Sequence, residues 1–358
     1  MVRLIVDAAR GSYPVIIGTD VHRELRNVVR RLDPSSAVIV TDSNVRPWAH
    51  KVAKAIKPSG VKPLIHVVPA SEQSKSMTAL RDVLAFFERQ NVDRGGLVIA
   101  VGGGTVGDLA GFAASIWLRG VRLVAVPTTL LAMVDSSIGG KTGVNGMRSK
   151  NAIGTFWPPS AVVADMACLE TLPQVNYRDA FAEVVKYGVA MDRGIFELLQ
   201  QESARLVEGD RRILERVVFR CVTAKALVVA RDERERGPRA ILNYGHTAGH
   251  ALEAATRFRV SHGRAVAFGM RVAARIALAL ELCGPRLVEA QDALLTELGL
   301  PDRAPAANPA RVLAAMAHDK KARRGKVAWV MPRRLGHAEP GHAVPAAVVR
   351  RVVRKALA

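Results

Sequence analysis

Cysteines, acidic residues and long apolar runs are all scarce in this chain of 358 residues. The three cysteines, Cys168, Cys221 and Cys283, lie far apart and form no C-x-x-C pair. This excludes a disulfide framework and a thiolate zinc site, and it indicates a reducing compartment. No apolar run reaches the roughly 20 residues that a membrane helix needs, and the first residues lack the regions of a signal peptide. We therefore expect a cytoplasmic protein with no membrane partner.

The shortage of acidic residues gives the chain a strong positive charge. There are 52 lysines and arginines against 32 aspartates and glutamates, for a net charge of +20. This surplus suits a nucleic acid or a small phosphorylated acid, although a generally basic surface would also produce it. Only four tryptophans and four tyrosines are present, and no basic block is interleaved with aromatic residues. We therefore expect a small phosphorylated substrate and no nucleic acid.

The two halves of the chain follow different patterns. Up to about residue 170, short β-branched runs alternate with amphipathic stretches such as 75–90 and 104–117, which predicts a mostly parallel α/β sheet. From Val175 onward the apolar residues recur every three or four residues, as in a helix. The run VAWVMP (327–332) is the one strand-like exception. We predict an α/β domain over residues 1–170 and a helical domain over 171–358. Ligands commonly bind in clefts between domains, so we expect the active site there.

A glycine cluster follows one buried strand of the first half. The stretch GLVIAVGGGTVGDLAGF satisfies G-x-G-x-x-G over residues 102–107 and leads into a helix. Bare glycines let the backbone approach a pyrophosphate, and the helix start offers N–H groups. The acidic residue of the dinucleotide fingerprint is missing, because the next strand ends in Thr128 and Thr129. Asp42 and Asn44 are candidates for the ribose contact, and the alternative is a tight turn without a ligand.

A second glycine turn, VDSSIGGKTGVN, places a carboxylate and an ammonium group on either side of Gly139 and Gly140. Polar and charged groups beside a flexible turn suit a ligand better than a packed core. Asp135 and Lys141 are therefore candidate binding residues, with a plain solvated loop as the alternative.

The helical half contains a candidate metal site. Glu183 and Lys186 are three residues apart, His246 and His250 are four apart, and His262 precedes another predicted helix. One glutamate, two histidines and an open position form a common catalytic zinc set. The carboxylate of the H-E-x-x-H zinc proteases is missing after His246. The spacing does not decide which two of the three histidines bind.

Cationic and amide side chains surround these residues in the sequence. They would hold an anionic substrate near a metal and a dinucleotide, although any single lysine is equally typical of a solvated helix surface. The candidates are Lys225, Arg239, Asn243, Lys320 and Lys321.

Together, these motifs resemble the 3-dehydroquinate synthase family of sugar phosphate cyclases. The resemblance runs from TDSNV (41–45) to HDKK (318–321) and rests on GGGTVGDLAGF, PTTLLAMVDSSIGGKTGVN, FAEVVKYG and LNYGHTAGHALE. It implies a nucleotide-binding α/β domain, an all-helical domain and a homodimer. It also implies a carbon–oxygen lyase of the shikimate pathway of aromatic amino acid biosynthesis. This enzyme converts 3-deoxy-D-arabino-heptulosonate 7-phosphate to 3-dehydroquinate and phosphate by transient NAD oxidation, phosphate elimination, re-reduction and aldol closure.

The resemblance also implies roles for individual residues. Zn²⁺, or Co²⁺ in its place, would be held by Glu183, His246 and His262, with His250 hydrogen-bonding in the active site. Catalytic contacts to the substrate would come from Asp135, Lys141, Lys186, Lys225, Arg239, Asn243 and His250, and further substrate contacts from Arg119, Asn151, Lys320 or Lys321. NAD would contact Asp42, Asn44, Glu72, Lys75, Gly102, Gly103, Gly104, Thr105, Val106, Gly107, Asp108, Thr128, Thr129, Lys141, Lys150, Cys168 and Thr171. Arg119 would reach across the dimer interface.

Two positions depart from the family pattern. Ser71 stands where the family usually has glycine, and Arg264 stands where it usually has glutamate after His262-Gly263. Neither change removes a ligand. The alternatives are a related cyclase for a sugar phosphate without the carboxylate, such as a valiolone or inosose synthase, and a metal-dependent polyol or glycerol phosphate dehydrogenase.

Overall fold

The computed structural model describes residues 1–8, 10–147, 149–235, 237–302, 306–317 and 328–358. The chain forms two compact units. The first comprises Met1–Leu172 and Leu214–Glu233, and the second comprises Pro173–Ile213 and Arg234–Ala358. The predicted division near residue 170 treats 214–233 as part of the second domain, whereas compactness groups this segment with the first unit. Among the described residues, no helix combines the length and the apolar character required to cross a bilayer.

The elements are bounded as follows. The strands are β1 (Val2–Val6), β2 (Tyr13–Gly18), β3 (Ala37–Asp42), β4 (Pro63–Val68), β5 (Leu97–Gly102), β6 (Arg122–Pro127), β7 (Lys141–Val144), β8 (Ile153–Phe156), β9 (Ala161–Asp165), β10 (Ala328–Arg334) and β11 (His337–Ala343). The helices are α1 (His22–Leu32), α2 (Arg46–Ile56), α3 (Met77–Arg89), α4 (Gly104–Ile116), α5 (Gln174–Ala190), α6 (Arg193–Glu208), α7 (Arg211–Arg231), α8 (His246–Ala255), α9 (His262–Ala279), α10 (Pro285–Glu297), α11 (Pro309–Ala317) and α12 (Ala346–Leu357).

A seven-stranded sheet organises the first unit, in the order β1-β2-β9-β6-β5-β3-β4. Within this sheet only β1 and β2 pair antiparallel, so the predicted mostly parallel sheet is confirmed. The strand β5 lies near the middle, and every residue of LVIAVG is buried, as expected for a strand covered on both faces. Since all its parallel neighbours run the same way, the carboxyl ends of β3, β5 and β6 lie at one edge of the sheet.

The core of this unit packs α3 and α4 against the sheet. Phe87 of α3, Val98 of β5 and Val106 and Leu109 of α4 belong to one buried cluster. The sequence did not predict the small antiparallel pair β7–β8, which pairs Lys141 with Phe156.

The second unit is largely helical, as predicted. Its described residues also contain one antiparallel hairpin, β10–β11, so an all-helical description needs correction. The run VAWVMP supplies β10 from Ala328 onward.

Close helix packing brings α5, α8 and α9 together in the second unit. A Cβ at Gly269 of α9 would lie 1.8 Å from the carbonyl oxygen of Gly245, just before α8, and a Cβ at Gly263 would lie 2.0 Å from the carbonyl oxygen of Asp179 in α5. Only glycine permits these approaches. They hold the first turns of α8 and α9 beside α5, and each of these three helices carries one predicted metal ligand.

Candidate functional site

Three side chains of the second unit converge on one point. Oε1 of Glu183, in α5, lies 3.3 Å from Nε2 of His246 and 3.3 Å from Nε2 of His262. His246 and His262 are the first residues of α8 and α9. A ligand atom from each residue lies within 4.8 Å of the other two. A carboxylate oxygen and two imidazole nitrogens are the donors of a common catalytic zinc site with an open position, so this group fits a divalent metal ion.

A buried lysine accompanies the donor group. Lys186 follows Glu183 by one helical turn and forms a close ion pair with Glu183 Oε2. The two side chains are 2% and 0% exposed. Such a pair is stable only when both charges are compensated, because each ion loses its hydration on burial. Lys186 therefore keeps the Glu183 carboxylate ionised and fixes one of its two oxygens.

The environment shifts the pKa of each member of the group in the metal-free protein. Burial would raise the pKa of Glu183, but Lys186 and the two histidines hold it well below its usual range. Burial lowers the pKa of His246. Burial also acts to lower the pKa of His262, but hydrogen bonds and charges from Glu183 and Glu253 raise it to about 10. A proton on His262 thus lies in the region where a metal cation would bind.

A second potential donor group uses the same histidine. It comprises His250, Glu253 and His262. His250 is exposed, whereas Glu253 is buried. The rings of His246 and His250 are 5.1 Å apart, so both histidines do project from one face of α8. Sequence reasoning did not single out Glu253, although its place seven residues after His246 puts it on that same face.

A third group, Asp20, His22 and Asp165 in the first unit, has a structural explanation. The Asp165 carboxylate accepts hydrogen bonds from the backbone N–H groups of Asp20, Val21 and Ala167 at 3.0–3.2 Å. The hydrogen bonds of the Asp165 carboxylate therefore stabilise two backbone turns.

The predicted carboxylate-binding residues lie just before α8, in the short 3₁₀ helix Pro238–Asn243. Arg239 is only 1% exposed. Nδ2 of Asn243 donates to Oε1 of Glu235 at 2.7 Å, so an amide expected to bind substrate contacts a carboxylate of its own unit. Sequence reasoning missed Glu235, because this residue lies outside the helices with a left-handed backbone (φ of 55°), where no helical periodicity relates it to Asn243.

The predicted phosphate-binding turn connects β5 to α4 in the first unit. Gly103 is the N-cap of α4, and no side chain caps the helix start. A Cβ at Gly107 would meet nothing within 4 Å, whereas a Cβ at Gly102 would lie 2.6 Å from Val106. The turn lines a cleft together with Lys141 and other residues of the second glycine turn. The open backbone and the uncapped N–H groups fit the pyrophosphate of a dinucleotide.

The neighbouring strand ends also carry predicted NAD contacts. The Asp42 carboxylate, at the end of β3, accepts from the N–H groups of Asn44 and Val45 at 2.9 and 3.2 Å. The N–H of Thr128, after β6, donates to the carbonyl of Gly102 at 3.0 Å. The structure therefore brings these residues to the same sheet edge as the glycine turn.

Five further predicted residues form one polar cluster in the first unit. Nζ of Lys75 lies 2.5 Å from Asp108 Oδ2 and 2.5 Å from Asn151 Oδ1. Thr105 Oγ1 donates to Glu72 Oε2 at 2.9 Å. Burial raises the pKa of Asp108, and Lys75 partly offsets this effect. The ammonium group of Lys75 thus links α4 to the loop that carries Asn151.

Asp135 and Lys225 also meet within the first unit. Asp135 lies in a π-helical turn, Ala132–Ser136, an irregularity that is frequent at functional sites. Nζ of Lys225, from α7, donates to the Asp135 carbonyl at 2.6 Å and forms a close ion pair with its carboxylate. The predicted catalytic residues are therefore divided, with Asp135, Lys141 and Lys225 in one unit and Lys186, Arg239, Asn243 and His250 in the other.

The comparisons with known proteins agree over nearly the whole chain. The family model described as 3-dehydroquinate synthase N-terminal matches residues 65–179, and the C-terminal model matches 180–322. A 3-dehydroquinate synthase of Gloeobacter violaceus is 43% identical over 99% of both chains. One from Rhodopirellula baltica is 45% identical over 85% of this chain and 82% of its own.

The chain belongs to the 3-dehydroquinate synthase family. The predicted resemblance is thereby confirmed.

Solved structures place the family fold among the sugar phosphate cyclases. A 2-deoxy-scyllo-inosose synthase complexed with carbaglucose-6-phosphate, NAD⁺ and Co²⁺ superposes with a TM-score of 0.92, at 26% identity over 99% of this chain and 100% of its own. A 2-epi-5-epi-valiolone synthase from Streptomyces hygroscopicus, with NAD⁺ and Zn²⁺ bound, has a TM-score of 0.87 at 28% identity, over 99% and 98%. A probable glycerol dehydrogenase from Sinorhizobium meliloti shares the fold alone, at 15% identity.

The two departures from the family pattern have local explanations. The hydroxyl of Ser71 accepts from the N–H of Gln73 at 3.1 Å and so caps the short helix that begins at Glu72. Arg264 is exposed, and its charge acts on the half-buried Asp179 and lowers the pKa that burial raises. Neither side chain replaces a member of the donor group.

The remaining predicted residues make structural contacts or lie on the surface. Thr171 accepts from Trp48 Nε1 at 3.1 Å and donates to the carbonyl of Cys168 at 3.1 Å. Burial raises the pKa of the Cys168 thiol. Arg119 and Lys150 are exposed, and Arg119 has a left-handed backbone with φ of 69°. The predictions for Lys320 and Lys321 lie outside the described residues.

Proposed function

We propose that this protein converts 3-deoxy-D-arabino-heptulosonate 7-phosphate to 3-dehydroquinate and phosphate, with NAD and a divalent metal ion, Zn²⁺ or Co²⁺, as cofactors. One observation carries the proposal. The donor group of the buried Glu183 and the half-buried His246 and His262 lies in a chain that is 43% identical, over 99% of its length, to a 3-dehydroquinate synthase. We also propose that the first unit is the NAD-binding part and the second unit the metal-binding part.

Glu183, His246 and His262 would hold the metal ion, which supplies a Lewis acid that polarises a substrate oxygen. Lys186 stabilises this arrangement by keeping Glu183 ionised and by engaging its second oxygen. The backbone carbonyl of Tyr244 lies 3.1 Å from Nδ1 of His246. A carbonyl only accepts, so it orients the ring with Nε2 toward Glu183.

The glycine turn over 102–107 and the N–H groups at the start of α4 would bind the pyrophosphate of NAD. The cofactor supplies an oxidation and a matching reduction, so it is regenerated within each turnover. Asp42 is held at the adjacent strand end by two backbone N–H groups, where its carboxylate can accept from a ribose hydroxyl. Lys75 and Asp108 would complete the NAD contacts through their shared hydrogen bond.

The substrate carries a carboxylate and a phosphate, which match the cationic side chains of the chain. Arg239 would pair with the carboxylate, because a guanidinium group makes bidentate, charge-assisted hydrogen bonds to carboxylates. Asn243 would exchange its present partner Glu235 for a substrate oxygen. Lys225, held by Asp135, would orient the polar groups of the sugar chain.

Two alternatives share the fold. The related cyclases are 26% and 28% identical, whereas the 3-dehydroquinate synthases reach 43–45%. The combination of Arg239, Asn243 and His250, which the family resemblance associates with a carboxylate substrate, also favours the first assignment. We further propose a homodimer in which the exposed Arg119 contacts the partner's substrate, which light scattering of the purified protein would test.

Phosphate release measured against NAD tests the proposal. The purified protein, loaded with Zn²⁺, is incubated with the heptulosonate phosphate and a substoichiometric amount of NAD. Phosphate should greatly exceed the NAD supplied, and no free NADH should accumulate. NADH formed in proportion to product would instead indicate a dehydrogenase. Turnover of a sugar phosphate without the carboxylate, with none of the heptulosonate, would indicate a related cyclase.

A further inference from the structure

Glu253 is a buried carboxylate with no assigned role. It lies in the last turns of α8 and is 3% exposed. A buried carboxylate is unfavourable unless hydrogen bonds or opposite charges compensate it. A contact that compensates this charge therefore bears on why a glutamate is present at this position.

One partner of Glu253 is the predicted metal ligand His262. Oε1 of Glu253 lies 3.5 Å from Nδ1 of His262. Nε2 of the same ring lies 3.3 Å from Oε1 of Glu183. One imidazole thus lies between two carboxylates from different helices, with one ring nitrogen facing each of them.

The chemistry of imidazole indicates which ring nitrogen of His262 carries the proton. A neutral imidazole has one N–H donor and one nitrogen lone pair, and a metal ligand must present the lone pair. An ionised carboxylate only accepts, so Glu253 favours the proton on Nδ1 of His262 and leaves Nε2 to face Glu183. The ring of His246 has the same arrangement, because its Nδ1 lies 3.1 Å from the Tyr244 carbonyl.

The competing interpretation makes Glu253 a metal ligand itself, in the group with His250 and His262. That group contains an exposed histidine. The group with Glu183 is more deeply buried, and both of its imidazole nitrogens face one carboxylate oxygen at the same distance. The observations therefore favour a supporting role for Glu253.

We propose that Glu253 is a positioning residue for the metal site. Its carboxylate accepts the hydrogen bond of Nδ1–H of His262 and so fixes the ring with Nε2 toward the metal. The inference rests on the proposed function, since it takes Glu183, His246 and His262 as the ligands. It adds a residue of this chain that determines metal affinity without touching the metal.

Metal affinity without substrate or NAD tests the role. Metal-stripped full-length protein is titrated with Zn²⁺ and with Co²⁺ against a competing chelator, for the parent and for Glu253→Ala and Glu253→Gln. Loss of such a partner typically weakens metal binding about 10–100-fold, and we expect this for Glu253→Ala. Glu253→Gln should lose less, because its amide oxygen still accepts from Nδ1–H. The visible absorption of bound Co²⁺ should change in Glu253→Ala and return toward the parent spectrum in Glu253→Gln.

A control variant separates positioning from general stability. Asp292→Asn alters another carboxylate of the second unit, one that pairs with Arg275 at 2.7 Å, and it should leave metal affinity unchanged. Thermal unfolding of each metal-free variant measures its loss of stability independently of metal binding. Affinity losses that merely follow the melting temperatures, across all three variants, would overturn the proposal.

Two other results would also overturn it. Parent-like affinity in Glu253→Ala would show that the carboxylate does not position His262. Loss of metal from both Glu253→Ala and His250→Ala, with binding retained in Glu183→Ala, would make Glu253 a ligand. Failure of the proposed function is distinguishable, because the parent would then bind metal while releasing no phosphate from the heptulosonate.

Discussion

Replacing Glu183 by glutamine should destabilise the metal-free protein, in addition to removing a proposed metal ligand. The side chains of Glu183 and Lys186 are 0% and 2% exposed and form a close ion pair. The substitution leaves the lysine charge buried without its carboxylate. Breaking a buried pair from one side costs about 3–5 kcal/mol, and at about 2–4 °C per kcal/mol the melting temperature should fall by roughly 6–20 °C.

Removing the second charge should recover most of this loss. Glu183→Gln combined with Lys186→Met leaves no uncompensated ion, and replacing a whole buried pair by neutral side chains is often nearly neutral in stability. The two single variants and the double variant form a double-mutant cycle, in which we expect a large interaction energy. Both variants that lack Glu183 should fail to bind metal, whatever their stability.

The assay is thermal and urea unfolding with a chelator present throughout. Glu197→Gln is a matched control, since Glu197 forms a 2.8 Å ion pair with Arg193 on α6 and both side chains are exposed. A surface pair of this kind contributes only about 0.3–0.5 kcal/mol. Equal stability losses in Glu183→Gln and Glu197→Gln, or strictly additive losses in the cycle, would refute the reasoning.

Three further predictions follow from the described geometry. Glu183 and Glu253 outweigh burial and raise the pKa of His262 to about 10, so a metal ion must displace the His262 proton. Co²⁺ affinity should therefore rise about tenfold per pH unit between pH 7 and 9. A Co²⁺ affinity that does not change with pH would contradict this. Gly107→Ala should fold like the parent, because its added Cβ meets nothing within 4 Å, but calorimetry should show weaker NAD binding. Gly102→Ala should lose stability, because its added Cβ would lie 2.6 Å from Val106. Arg239→Ala should weaken substrate binding about 10–100-fold, since charge-assisted hydrogen bonds contribute about 1.5–3 kcal/mol; equal loss with an analogue lacking the carboxylate would exclude the proposed contact.

Much of the fold follows from local patterns in the sequence. The run that forms β5 is continuously apolar and β3 begins with four apolar residues, because parallel strands covered on both faces have no solvent side. The pair β7–β8 could not be predicted from such patterns. KTGV and IGTF are short and glycine-containing, and their pairing depends on a loop that brings Lys141 back to Phe156.

The site is predictable only to the extent that its residues share an element. The four-residue spacing of His246 and His250 fixes a common face of α8, but it says nothing about which imidazole meets a carboxylate of another helix. Glu183 and His262 come from α5 and α9, and their approach depends on close packing at Gly263 and Gly269. The roles of Glu235 and Glu253 likewise depend on partners that no periodicity reveals.

Charge balance explains how this donor group folds before any metal arrives. Lys186 keeps the Glu183 carboxylate ionised, and against the effect of burial Glu183 and Glu253 raise the pKa of His262 to about 10, so His262 holds a proton at neutral pH before a metal binds. His262 lies between the same two carboxylates that favour a cation. A divalent ion that displaces this proton adds only one net charge to the cluster. The ionisable side chains therefore stabilise the metal-free fold and prepare the metal site through the same contacts, which is why metal affinity and pH should be coupled here.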